Sequence, residues 1–321
     1  MKQFTVIFTA LLLILSCNIG LSEGNENEKV RLGYLQNDLH QLACWVAMDK
    51  GYFKKEGLEI ESSTFQAGPE EMSAFAGGCL DIGYVGEAPA TAAVANGTAG
   101  VVVLAQVNKD GSAVMVRKDS NIKEVVDLIG KTVAVPGHAQ VQDFLLRKAL
   151  AAHGVRAEDL RIIVLKPPEM IGALKTSQID AFIAWEPYPA KTVTLDVGKV
   201  LVNSSEIWND HPCCVLVADS TFLKQNPDKI RGIVKAHVKA TNFINENLEE
   251  AVKIGMRYTG MDENTVRLAM KNIKYDYIPS IEGEIEYVTF LSKLNYVKVN
   301  NPREFTDKFI QTEVLKEIKN K

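Results

Sequence analysis

The residues of this 321-residue chain that could do chemistry fall in a few short loops. One is Pro136-Gly137-His138-Ala139-Gln140. It follows a β-branched run, Thr132–Val135, and precedes Val141, Phe144, Leu145 and Ala149 at helical spacing, with Gly154 where a C-cap belongs. The first N–H groups of such a helix lack internal partners and carry the positive end of its dipole, so the turn could cradle an anion. An ordinary strand-to-helix turn is the commoner use of the same pattern. Glu87 and Glu186 follow two other strand-like runs; an acid there suits a cationic ligand group or simply the start of a helix. Trp185 and Tyr188 flank Glu186 and could cover an apolar part of a ligand. His40, His138 and His211, three of the five histidines, stand in the same class of loop, as do Gln36, Asn37, Gly86 and Asn108. Together with Gly137, Ala139 and Gln140, these fourteen residues are the expected ligand-binding set. A solute with an anionic end and a donor or cationic end, such as an aminosulfonate, would satisfy both the helix start and the carboxylates.

No spacing calls for catalysis, a cofactor or a metal. GxGxxG, GxxxxGK[ST] and GxSxG are absent. His40, Glu87, His138, Glu186 and His211 are chemically suitable metal ligands, but nothing in their spacing demands an ion, and the cysteines fit no zinc pattern. His211 and Cys213 would share one face of an extended segment, which does not prove contact. Cys213-Cys214 reads as the start of a buried strand. Cys44 and Cys79 could pair outside the cytoplasm.

The elements needed to position these loops alternate. Strands are expected at 30–35, 58–62, 80–85 and 101–107, with helices at 39–50, 69–76 and 89–96 between them. Alternation with short connections implies mixed, mostly parallel sheets flanked by helices, and ligands there bind beyond the carboxyl ends of the strands. Residues 69–90 and 168–189 also match at a constant offset of 99, pairing Pro69 with Pro168, Asp81 with Asp180 and Glu87 with Glu186. Two related α/β lobes are therefore expected, with both carboxylates approaching one cleft. The first lobe should comprise 29–112 and 213–321 and the second 113–212. A strand at 113–117 carries the chain across and 213–218 carries it back; helices at 228–247, 248–258, 262–272 and 283–294 pack on the first lobe. Two crossings make a hinge able to close on a solute.

Composition agrees with a globular chain, 46% hydrophobic and 24% charged. Residues 1–16, with Lys2 before an apolar run, read as a signal peptide, and Ile14-Leu15-Ser16-Cys17 as a lipidation site at Cys17. Residues 17–28 form a polar tether. Without Lys2 the balance is 35 basic against 40 acidic residues, a net −5 and a poor basis for binding nucleic acid. No later segment is apolar enough to span a membrane.

Five stretches together resemble the substrate-binding proteins of ABC importers for nitrate, sulfonates and taurine. They are GYFKKEGLEIE at 51–61, the block from Gly68 to Pro89, DLIGKTVAVPGHAQVQDFLLRKAL at 127–150, DAFIAWEPY at 180–188 and HPCCVLVADSTFLKQNP at 211–227. The resemblance implies the two-lobed periplasmic-binding-protein-like fold, type II, with ligand contacts at the loops named above. It also implies a monomeric protein without catalytic activity that hands a small anionic or zwitterionic solute to a membrane permease. The same fold houses binding proteins for thiamine-pyrimidine precursors and a thiamine-pyrimidine synthase with a Cys-rich motif. Cys213-Cys214 echoes that motif in two residues, and the signal peptide argues against an intracellular enzyme.

Overall fold

The computed structural model describes residues 29–319, so the signal segment, Cys17 and the tether lie outside the described residues. Eleven strands are described: β1 Val30–Leu35, β2 Ile60–Phe65, β3 Ile82–Gly86, β4 Val101–Asp110, β5 Ser112–Arg117, β6 Thr132–Val135, β7 Arg161–Val164, β8 Ala181–Trp185, β9 Gly198–Asn203, β10 Pro212–Asp219 and β11 Ile273–Tyr275. They form two sheets flanked by helices, ordered β11-β4-β10-β3-β1-β2 and β7-β6-β8-β5-β9.

Both sheets are mixed, as expected, with most strands of each running one way. In the first, β2, β1 and β3 run parallel, while β10 lies antiparallel between β3 and β4 and β11 antiparallel outside β4. In the second, β7, β6 and β8 run parallel and β5 lies antiparallel between β8 and β9. The antiparallel pairings arise where each sheet takes in a strand from a distant part of the chain, β10 in the first and β5 in the second. The run 213–218 is thus no crossing: it is buried on both faces at the centre of the first sheet, which explains its unbroken apolar character.

The 99-residue repeat has a hydrogen-bond basis. Asp81 Oδ2 accepts from the Arg31 N–H at 2.8 Å, and Asp180 Oδ2 from the Thr132 N–H at 2.9 Å. In each case an aspartate just before a strand fastens the start of its parallel neighbour.

The chain leaves the first sheet through Asp110 (φ 58) and Gly111 (φ 88), two consecutive left-handed residues, and enters β5 at once. It returns past Trp208 and His211, and the Asp110 N–H donates to the His211 carbonyl at 3.0 Å, so the crossings touch. The C-terminal helices do not confine themselves to the first lobe. Pro227–Glu246 and Leu248–Thr259 pack on the helix Leu42–Asp49. Glu263–Met270 instead meets the second-lobe helix Tyr188–Thr194, where Lys191 Nζ binds Asp262 at 2.9 Å and the Thr194 and Thr265 hydroxyls meet at 2.8 Å. Phe144 of the second lobe packs edge-on against Tyr287 and Phe290, with centroids 4.8 and 4.4 Å apart.

Candidate functional site

A narrow cavity opens between the lobes. From the first lobe it is lined by Leu35, Asp38, His40, Gly68, Gly86, Pro89, Cys213 and Cys214, and from the second by Gln140, Val141, Gln142 and Trp185. The centres of water-sized molecules find about 20 Å³ there, where one water needs about 10–15 Å³.

His40 belongs to a 3₁₀ turn, Leu39–Gln41, not to the long helix expected over 39–50; the α-helix begins at Leu42. Asp38 caps the turn, its Oδ1 accepting from the His40 N–H at 3.0 Å while Oδ2 accepts from Gln41 Nε2 at 3.2 Å. The imidazole is buried, with Nε2 at 2.9 Å from the Gly111 carbonyl. A carbonyl only accepts, so Nε2 carries the proton. Nδ1 faces Cys213 Sγ at 3.4 Å, Cys214 Sγ at 3.9 Å and Asp38 Oδ1 at 3.6 Å. Burial favours neutral His40, but the Cys213 thiol and Asp38 outweigh it and push its pKa up to about 9. The bond from Cys214 and the charge of His40 hold Cys213 well below a usual thiol. Burial pushes Asp38 up to about 6.

The second lobe contributes Gln140, whose side chain lies over Gly137; a Cβ on Gly137 would stand 2.4 Å from Gln140 Nε2. At the helix start expected to cradle an anion, the chain sets an acid of its own against the preceding turn. Buried Asp143 accepts from the Ala139 N–H at 3.2 Å and pairs with Arg147 at 2.9 Å. His138 points outward, 51% exposed, and joins Ala139 in a separate surface depression beside Pro69 and Met72.

Trp185 lines the cavity in edge contact with Tyr188, ring centroids 6.3 Å apart. Its indole N–H is buried and has no acceptor among the described residues.

The matched carboxylates do not meet across the cleft. Glu87 is fully buried at the first position of the helix Glu87–Ala95, bonded to Gln106 Nε2 at 3.3 Å and to Glu284. Burial pushes Glu87 up to about 7, and burial together with the neighbouring Glu87 carboxylate pushes Glu284 well above the usual carboxylate range. Glu186, also fully buried, accepts from Asn272 Nδ2 at 2.7 Å and from the Ala190 N–H at 3.0 Å, fastening the start of its own helix. Asn108 is spent on the backbone, accepting from the Cys214 N–H at 3.2 Å and donating to the Asp110 carbonyl at 3.2 Å. His211 is buried at the return crossing, its Nδ1 at 3.0 Å from the Pro212 carbonyl and its ring beside Trp208; burial holds its pKa down. Gln36 and Asn37 are half-buried past the end of β1 and do not line the cavity. Of the expected residues, His40, Gly86, Gln140 and Trp185 line it. Asp38, in the same loop as His40, lines it too, and Gln142, Cys213 and Cys214 join them from outside the expected set; the strand that carries the cysteines brings them there. Cys44 is a buried free thiol, so it does not pair with Cys79.

Residues 23–255 match the profile of the NMT1-like family. A putative aliphatic sulfonates-binding protein of Bacillus subtilis is 30% identical over 283 residues, spanning 85% of this chain and 83% of that protein. This chain belongs to the NMT1-like family. Another family relative, a putative binding protein of Brucella abortus, is 28% identical over 276 residues and spans 85% of this chain and 84% of its own. The fold is that of the periplasmic nitrate-binding protein NrtA of Synechocystis (TM-score 0.82, 18% identity, 91% of this chain and 88% of that one). Relatives of this family are binding proteins, and no described helix is long and apolar enough to cross a membrane.

Proposed function

We propose that the chain is the extracytoplasmic solute-binding component of an ABC-type importer. It takes a small anionic or zwitterionic solute between its lobes and delivers it, chemically unchanged, to a membrane permease. It acts as a monomer, binds no nucleic acid, and is held to the membrane through a lipid on Cys17. The observation that carries the ligand class is the unpartnered indole N–H of Trp185 on the cavity wall. A buried donor without an acceptor costs about 1–3 kcal/mol, and a solute oxygen would remove that cost. Gln140 lines the same cavity, and Asp38 on the facing lobe suits a cationic end, a role the sequence suggests for Glu87 and Glu186.

A Cys–His nucleophile is the one competing reading that the geometry raises, through the 3.4 Å contact between Cys213 and His40. Against it, two sulfurs rather than one face the same nitrogen. Calorimetry with taurine, an alkylsulfonate and nitrate tests the proposal. At least one should bind and be recovered intact. Trp185→Phe should weaken the oxyanion by about 10–100-fold, the value of a hydrogen bond to a charged group. No binding by any of the three, or an unaffected variant, refutes the ligand class; turnover of the bound solute refutes the binding role. Intact mass from native membranes tests the anchor, since a chain starting at Cys17 without a diacylglyceryl adduct removes it.

A further inference from the structure

From the packing of His40, Cys213 and Cys214 we infer a buried binding site for a divalent d¹⁰ metal ion of the zinc class, held by one imidazole nitrogen and two thiolate sulfurs. Successive strand residues normally face opposite sides of a sheet. Here both sulfurs reach His40 Nδ1, at 3.4 and 3.9 Å, and the three atoms lie within 4.8 Å of one another. The cause is local: the ladder between β10 and β4 slips at Pro212/Cys214 and again at Cys214/Val215. Such irregularities re-aim side chains, and this one turns adjacent cysteines toward one point.

The spacing suits an ion. With zinc–sulfur and zinc–nitrogen bonds of about 2.3 and 2.0–2.1 Å at tetrahedral angles, nitrogen and sulfur stand about 3.5 Å apart. The imidazole is oriented as metal-bound histidines are, its other N–H fixed on the Gly111 carbonyl at 2.9 Å. Gln41 Nε2 donates to Cys214 Sγ at 3.5 Å, a second outer contact. Two thiolates and a neutral imidazole neutralise a divalent cation, which a buried site requires. Soft sulfur and imidazole donors select zinc-like ions over magnesium or calcium. All three residues border the cavity, so a fourth coordination position opens onto it. His40 and Cys213 stand 173 positions apart in the chain, which is why no linear spacing revealed the set.

The test uses the reduced, chelator-treated chain under anaerobic conditions, with cobalt(II) as the spectroscopic probe and zinc(II) by competition against a chromogenic chelator. One ion per chain should bind, with thiolate-to-cobalt charge-transfer absorption in the near ultraviolet. Cys213→Ser and Cys214→Ser should each weaken zinc by at least about 100-fold, more than the loss of an outer partner would. Cys44→Ala, which leaves the cluster whole, should bind as the native chain does. Because the cysteines lie in the core, melting curves are taken with and without zinc: the ion should raise the native midpoint and leave that of the serine variants unmoved. His40→Gln provides the same comparison with both thiols kept. Absent charge-transfer absorption, less than one ion per chain at saturation, or native affinity in these variants overturns the site.

Discussion

Glu186 is fully buried, and its two bonds, from Asn272 and Ala190, do not offset the burial that pushes its pKa from 4.5 to about 7. Between those values the folded chain holds a proton that the unfolded chain has released. The group's contribution to stability is therefore fully present below pH 4.5 and is lost as pH rises through about 7. Glu186→Gln removes this dependence, so the stability of the variant relative to the native chain should increase from pH 4.5 to 8, by up to about 3 kcal/mol. Urea unfolding at both ends of that range measures it; a constant difference would mean that the carboxyl titrates normally. Solute affinity should stay within about twofold, since the group is turned from the cavity. The sequence showed that Glu87 and Glu186 occupy matched positions, and they do follow matched strands. It could not show which way they face, because the partners that turn them inward, Glu284 and Asn272, belong to the C-terminal segment. His40, Gly86, Gln140 and Trp185 were legible because they stand where strands end at the cleft.

At the scale of elements, Gly111 joins the sheets and seats His40. Its φ of 88 is in the region that disfavours side chains, and a Cβ would stand 2.4 Å from His40 Nε2 and 2.8 Å from Ile273 Cγ1. Gly111→Ala should cost about 2–4 kcal/mol from backbone strain and overpacking together. Denaturant midpoints read this, and a loss under 1 kcal/mol would mean that the crossing yields without resistance. The parallel units were legible because local alternation encodes them. The first strand, the turn before Gln140 and the helix Val141–Ala152 stand where periodicity put them. β2 begins at Ile60, later than expected, since its exposed polar residues at the sheet edge blur the pattern. β7 and β11, of four and three residues, and the edge strand β9 are not expected from the sequence, and the central place of β10 depends on pairing that no local window contains.

At the scale of the molecule, the cavity lies between lobes joined by two crossings, so a solute is expected to enter as the lobes separate. Scattering from the solute-free chain should give a larger radius of gyration than this structure, falling toward it when a bound solute saturates the cleft. An identical radius in both conditions would exclude hinge motion. Opening must accommodate the contacts that Lys191, Thr194 and Phe144 make with the C-terminal segment. The placement of β10 also governs the order of assembly. β3 and β4 do not pair with each other; β10 alone joins them. As the chain is synthesised, residues 30–110 emerge as a three-stranded piece, β2-β1-β3, and the lone strand β4, unlinked until Asp219 has followed. All five strands of the second sheet, β5 to β9, precede that residue, so the lobe begun second can be finished first. Until then the edges of β3 and β4 are open to foreign strands, a hazard set by the order of the chain rather than by its final contacts.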